Sequence, residues 1–373
     1  MKVEGVPRHT IEPLPDRRAV QILDQTLLPH EIVWRIVETI DDAAEAIRVM
    51  KVRGAPLIGA TAAFGLGFAL GVDPSDAALA KAYDILLATR PTAVNLRWAL
   101  DRVRARVAPL PPDERADAAW AEALQLCADD VATNAAIGRH GLTLFREILD
   151  AKTEKTLNIL THCNAGWLGC VDWGTAIAPI YLAHDAGLAV HVWVSETRPR
   201  NQGASLTAWE LTQHGIPHTL VVDNEAGHLL QRGLVDLCIV GTDRVTANGD
   251  VANKIGTYLK ALAARAHDVP FYVALPMSTI DWTISDGIRD IPIEQRSGRE
   301  VTHLVGRGSD GQRSEVLLTP ATTAARNDAF DVTPAALVTA LITEHGPCRA
   351  DAADLQRLAA EVRDKAPACA ESV

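Results

Sequence analysis

The sequence predicts an α/β fold: a mainly helical N-terminal domain followed by a Rossmann-like, parallel-sheet C-terminal domain. Three observations carry this. Apolar residues recur at helical spacing until about residue 150. Beyond that point short β-branched runs alternate with helical patterns, the signature of a parallel sheet covered on both faces. At 373 residues the chain is also long for a single core. The expected division is residues 1–150, mainly helical with a small β element, then 151–346, the α/β catalytic domain, then 347–373, a helical extension or tail.

In chain order, Val20 to Leu23 and Ile32 to Ile40 form the small β element. Helices follow at Ala43 to Met50, Leu57 to Leu70, Asp76 to Leu87, Val94 to Val107 and Ala116 to Leu149. Strands are expected at Leu157 to Thr161, Ala189 to Val194, His218 to Val222, Leu237 to Val240 and Phe271 to Leu275. Between them lie helices at Thr175 to Ala186, Leu206 to His214, Ala226 to Gln231 and Lys254 to Ala266. Ala350 to Val373 reads as an Ala-rich helix with a frayed tail.

A net charge of −11 argues against nucleic-acid binding, which needs a basic face, but leaves room for one small anion held by local Arg, Lys and helix amides. The stretch Gly54 to Val72 carries no charge, yet Gly and Ala supply much of it and Pro56 interrupts it. It reads as a buried helix entered through a Gly-Ala-Pro turn, with no membrane partner. The six cysteines lack CxxC and zinc-site spacing, and no HExxH motif is present, so no metal is expected and a reduced, cytoplasmic setting is. The polar, Pro-containing N-terminus does not read as a signal peptide.

Each expected strand runs into a polar junction: Thr161 to Gly166, Ser195 to Gly203, Asp223 to Gly227, Gly241 to Arg244 and Pro276 to Asp281. Topology brings the C-terminal ends of parallel strands to one edge, where ligands bind. There is no P-loop, nucleophile elbow or dinucleotide fingerprint. These junctions hold a thiol, a carboxylate, amides and guanidiniums. Such a set suits proton or hydride relocation on a phosphorylated substrate.

The same junctions resemble the methylthioribose-1-phosphate isomerases, relatives of ribose-1,5-bisphosphate isomerases and of the regulatory subunits of translation initiation factor 2B. The matching strings are Asp24 to Pro29, Val52 to Pro56, Thr89 to Leu96, Thr161 to Gly166, Glu196 to Pro199 with Gln202-Gly203, Gly241 to Arg244 and Asn253 to Thr257. They span roughly Val20 to Gly346. Met277, where a smaller residue is expected, is a departure that bears on one pocket wall.

The resemblance implies an aldose–ketose isomerase of methionine salvage that needs no cofactor and acts as a homodimer on a small sugar phosphate. It implies Asp243 as proton donor and Cys163 as catalytic cysteine. Arg53, Gly54, Ala55, Arg90, Gln202, Asn253 and Lys254 become substrate contacts. The residues themselves leave plainer readings open: surface arginines at helix starts, an Asp243–Arg244 pair, a buried apolar cysteine. Two features favour chemistry. Lys254 at a helix start is disfavoured by the dipole, and Cys163 beside His162 ahead of a helix is placed for a lowered thiol pKa. His162 itself is read as structural. Trp167 and Trp173 suggest a dry site. Hydrogen then moves from C2 to C1 either through an enediol, with Cys163 as base, or as a direct hydride. Ribose-1,5-bisphosphate isomerase and a non-catalytic regulator are the rival functions, and 5-deoxyribose 1-phosphate is a further candidate substrate.

Overall fold

The computed structural model describes residues 1–15, 18–91 and 93–365. Its first half is built from α1 (Ile40–Arg48), α2 (Ala55–Val72), α3 (Asp76–Leu87), α4 (Val94–Val107) and α5 (Pro112–Ala151). A three-stranded antiparallel sheet, Ile11–Pro13, Val20–Leu23 and Trp34–Val37, precedes them. The last strand is shorter than the sequence suggests because Thr39 and Asp42 form a capping box that starts α1 at Ile40. Helix α2 is apolar on every side, and α1, α3, α4 and α5 pack around it. Of its apolar stretch 72% is buried, so a helix long and apolar enough to cross a membrane is here a core helix.

Seven of the described strands of the second half form the main sheet. From one edge it runs His218–Val221, Ala189–Ser195, Thr156–His162, Leu237–Val240, Phe271–Ala274 and Ala340–Thr343, all parallel, then Gly346–Cys348, antiparallel. The central strands Leu237–Val240 and Phe271–Ala274 are buried at every residue, as a sheet covered on both faces requires. Numbered along the chain, the six parallel strands lie in the order 3-2-1-4-5-6. The order reverses between Thr156–His162 and Leu237–Val240, which opens a crevice at their C-terminal ends. The last two strands were not visible in the apolar pattern.

The sheet is flanked by α6 (Ala178–Asp185), α7 (Ala208–His214), α8 (Glu225–Gln231) and α9 (Thr257–Ala266). Two starts differ from expectation by about a turn, and those of α7 and α8 by one or two residues. Helix α6 begins at Ala178 because Ala176 and Ile177 are spent on hydrogen bonds to the Ala165 carbonyl. Helix α9 begins at Thr257, since Val251–Lys254 is a strand. That strand belongs to a four-stranded side sheet in the order Ile280–Asp281, Arg244–Thr246, Val251–Lys254, Phe330–Thr333. A hairpin, His303–Arg307 and Arg313–Leu317, reaches back to the N-terminal half, where Arg307 and Arg313 donate to the carbonyls of His30 and Thr26. A C-terminal helix, Ala352–Lys365, closes the described chain, and the expected frayed tail lies outside the described residues.

Candidate active site

Cys163 follows strand Thr156–His162 and Asp243 follows strand Leu237–Val240, so both stand at the point where the strand order reverses. They line one small pocket together with Arg53, Gly54, Ala55 and Asn253. Arg90 shares a second pocket with Gly54, Ala55 and Asp243. Gln202 instead lines a cleft of about 330 Å³, joined to the first pocket through Arg53.

From the helical half come Arg53 and the start of α2. Gly54, the N-cap, has φ +91°, and a Cβ there would lie 2.3 Å from the Gly169 carbonyl oxygen. Only glycine permits this approach of the two halves. No side chain caps α2 and its first turn holds no acidic residue, so its leading amides remain for an anion. Arg53 grips Asn164 with both ends of its guanidinium, Nη1 to Oδ1 at 2.6 Å and Nη2 to the main-chain oxygen at 2.9 Å. Among the described residues no carboxylate pairs with it within 4 Å, whereas Arg90 pairs with Glu294 at 3.3 Å.

Cys163 has φ +66°, an unusual conformation for a non-glycine residue. It is held there because its N–H donates to Thr197 Oγ1 (2.8 Å) while its carbonyl accepts from Thr207 (2.6 Å). Its thiol is pushed up by burial, against the pull of Arg53 and Lys254. This corrects the expectation of a lowered pKa. The chain beyond Cys163 forms a short 3-10 turn, Trp167–Gly169, not a helix, and His162 gives no help. Its imidazole, pushed down to about 3 chiefly by burial, is neutral and bonds the Ile255 carbonyl at 2.9 Å.

The Asp243 carboxyl is pushed up by burial, opposed by Lys254, Arg90 and Arg53. Its neighbour Arg244 pairs with Asp281 at 3.1 Å, so the plain reading of an Asp243–Arg244 ion pair is not what forms. Lys254 requires another correction. It ends a strand, so no helix dipole opposes it, and Asp331 caps the start of α9 through Gly256 and Tyr258. Its ammonium is buried (7% exposed), donates to the Ala329 carbonyl at 2.9 Å and lies 4.7 Å from the centre of the Phe330 ring. Burial lowers its pKa, and Cys163 and Asp243 draw it back up, which places the three groups within electrostatic reach. It too has no carboxylate within 4 Å among the described residues.

Two further expectations change. Met277 packs among apolar core residues and does not line the pocket. Trp167 stacks on Trp209 away from it, and neither Trp167 nor Trp173 lines it; Ala55, Pro56, Ala165 and Pro276 supply its apolar walls. Sequence reasoning missed the residues behind the site. Asp223 accepts from Ser195 and from the Thr197 and Arg198 amides, fixing the loop that holds Cys163. Glu210 receives four donors from around Asn164 to Leu168 and α6. A carboxylate between two apolar neighbours, Trp209 and Leu211, was the available signal.

A model of the initiation factor 2 subunit family matches residues 51–349. A methylthioribose-1-phosphate isomerase from Rhodospirillum rubrum is 59% identical over 99% of this chain and 95% of its own length. One from Acidiphilium cryptum is 60% identical over 98% and 99%. Among solved structures, 5-methylthioribose 1-phosphate isomerase from Pyrococcus horikoshii superposes with a TM-score of 0.81 at 39% identity, covering 95% of this chain and 96% of that one. The delta subunit of translation initiation factor eIF-2B from A. fulgidus gives 0.75 at 36%, covering 92% and 96%. With a family model over most of its length and near-full-length relatives close to 60% identical, the chain belongs to the methylthioribose-1-phosphate isomerases.

Proposed function

We propose that this protein converts 5-methylthioribose 1-phosphate into 5-methylthioribulose 1-phosphate, a step of methionine salvage, with Asp243 and Cys163 as its catalytic pair. The observation that carries the site assignment is the electrostatic imbalance of the pocket. Arg53 lines the pocket beside the uncapped start of α2, and Lys254 is buried outside its lining. Both lie within electrostatic reach of Cys163 and Asp243, and neither is within 4 Å of a carboxylate among the described residues. A half-buried guanidinium and a buried ammonium in that state call for an anion, and a phosphate supplies it. Gly54 and Ala55 contribute amides, Arg90 a second guanidinium, and Asn253 and Gln202 further polar contacts.

The substrate's anomeric oxygen carries phosphate, so the furanose must be opened under acid assistance. Asp243, whose carboxyl burial shifts toward the protonated form, gives its proton to the ring oxygen as the C1–O4 bond breaks. Hydrogen then moves from C2 to C1 while the C2 hydroxyl returns a proton to the Asp243 carboxylate, leaving the ketone. A buried thiol with a raised pKa is a poor resting base. Cys163 therefore serves as a neutral group beside the reacting carbons, and the hydrogen passes as hydride.

The cleft beyond Arg53 speaks against a bisphosphate. Among the described residues two of its arginines are ion-paired, Arg200 with Glu300 and Arg299 with Glu315. Arg313 is held by the Thr26 carbonyl, which leaves Arg313 alone and no dedicated cationic pair beyond Arg53 for a second phosphate. In this reading the helical domain (1–150) closes over a catalytic domain (151–346), with 347–373 an extension. The protein is a cytoplasmic homodimer, in keeping with its free cysteines at 127, 163, 170, 238 and 348. The test is turnover of a panel: 5-methylthioribose 1-phosphate and 5-deoxyribose 1-phosphate are converted, and ribose 1,5-bisphosphate is not. Preference for the bisphosphate would overturn the assignment.

A further inference from the structure

Helix α7 buries one carboxylate, Glu210 (2% exposed), which touches none of the pocket-lining catalytic groups. Its Oε1 accepts from Asn164 Nδ2 (2.9 Å) and the Leu168 amide (2.7 Å). Its Oε2 accepts from the Trp167 amide (3.0 Å) and the Tyr181 hydroxyl (2.7 Å). The loop after Cys163 wraps so tightly around it that a Cβ on Gly166 would lie 1.9 Å from Oε2. Four donors on one carboxylate fill its acceptor sites.

The consequence reaches the pocket through Asn164. An amide has one donor end and one acceptor end, and Glu210 takes the donor end, with Thr207 Oγ1 as a second acceptor at 3.2 Å. The acceptor end, Oδ1, is thereby turned to Arg53, which it holds at 2.6 Å. Had the carboxylate met Arg53 directly, it would have cancelled the guanidinium's charge. With a neutral amide between them, Arg53 is fixed in place and its charge is left for a ligand.

We propose that Glu210 is a positioning residue for phosphate binding, acting through the orientation of Asn164 on Arg53; this rests on the reading of Arg53 as a phosphate contact. It touches no substrate atom. Its effect falls on binding of the phosphorylated substrate, and only while Arg53 is present.

The test compares Glu210→Gln, Asn164→Ala, Asn164→Asp and Arg53→Ala, and adds the double variant Arg53→Ala with Glu210→Gln. Readouts are KM and kcat for 5-methylthioribose 1-phosphate and the Kd of inorganic phosphate by calorimetry, with folding checked by thermal melting. Gln keeps the shape of Glu but presents an NH2 to a site where every backbone partner is a donor. Glu210→Gln and Asn164→Ala are expected to raise KM and the phosphate Kd about tenfold, with kcat changed less than threefold. Asn164→Asp, which sets a carboxylate against Arg53, weakens phosphate more than Asn164→Ala does. In the Arg53→Ala background, Glu210→Gln adds nothing to either constant. An equal loss from Glu210→Gln with and without Arg53, or a loss confined to kcat and melting temperature, overturns the inference. If Arg53→Ala itself leaves KM and phosphate Kd unchanged, the phosphate role of Arg53 fails first. If Arg53→Ala weakens both and Glu210→Gln and Asn164→Ala do not, only the inference about Glu210 fails.

Discussion

Cys163 and Asp243 leave adjacent parallel strands, paired through Ile159–Leu237 and Leu160–Cys238, and line one pocket where the sheet's strand order reverses. Neither residue is poised by a neighbouring charge in the way a nucleophile is. Burial raises both, which keeps the Cys163 thiol protonated at neutral pH and holds the Asp243 proton to higher pH than in an ordinary aspartate. Cys163 should accordingly resist iodoacetamide at pH 7 in the folded protein. Cys163→Ala should lower kcat by about 10²-fold, the scale of losing one oriented group at a reacting centre. Rapid alkylation at neutral pH, read by mass spectrometry, would contradict a neutral buried thiol.

Asp243 as proton donor fixes the sign of a pH dependence. A carboxyl whose pKa is raised keeps its proton to higher pH than an ordinary aspartate, and kcat/KM falls as pH climbs through the raised value. Asp243→Asn should lower kcat by roughly 10²–10⁴-fold and abolish that limb of the profile. A profile limb that survives in the Asn variant belongs to another group.

Gly54→Ala should damage both stability and binding. The new Cβ meets the Gly169 backbone at 2.3 Å and at a φ of +91° that side chains avoid, and backbone on both sides cannot give cheaply. The expected cost is roughly 2–4 kcal/mol, seen in denaturant unfolding, with a weaker phosphate Kd in whatever remains folded.

Asp130, on α5, accepts the Val171 amide at 2.7 Å, and burial pushes its pKa up to about 7. A carboxyl raised in the folded state makes its favourable contribution below the unfolded value near 3.8, and loses it as pH rises towards 7. Asp130→Asn removes that titration and can still accept the Val171 amide. The variant's stability relative to wild type should be greater at pH 8 than at pH 5, by up to about 2–3 kcal/mol in the difference. Parallel stability curves for the two proteins between those pH values would show that Asp130 is not the group responsible.

Much of this architecture was legible because its signals are local. The alternation of β-branched runs with amphipathic stretches marked five of the seven strands of the main sheet, and the charge-free Gly54 to Val72 marked the buried helix that the others surround. Cys163 and Asp243 meet in one pocket because polar junctions after parallel strands share an edge, while Arg53, Gly54 and Ala55 reach it from the start of α2 and Asn253 from the side sheet. The features hidden from the sequence depend on long-range pairing. Val251–Lys254 is a strand only because Arg244–Thr246 and Phe330–Thr333 flank it, and read alone its last residue, Lys254, merges with α9. The pKa of Cys163 went astray for a related reason. Its neighbour His162 is adjacent in sequence but turned to Ile255 and kept neutral, and burial depth is not written in spacing. The roles of Glu210 and Asp223 escaped because their donors, backbone amides together with Asn164, Tyr181 and Ser195, come from distant segments that no motif displays.

The most direct test of the proposed chemistry is conversion of 5-methylthioribose 1-phosphate by the wild-type protein in deuterated water, followed by proton NMR. The expected product is 5-methylthioribulose 1-phosphate whose C1 carries hydrogen from substrate C2 and no solvent deuterium. No conversion by the folded protein would contradict the proposed function. Conversion with substantial deuterium at C1 would contradict the neutral role of Cys163 and return it to service as a base.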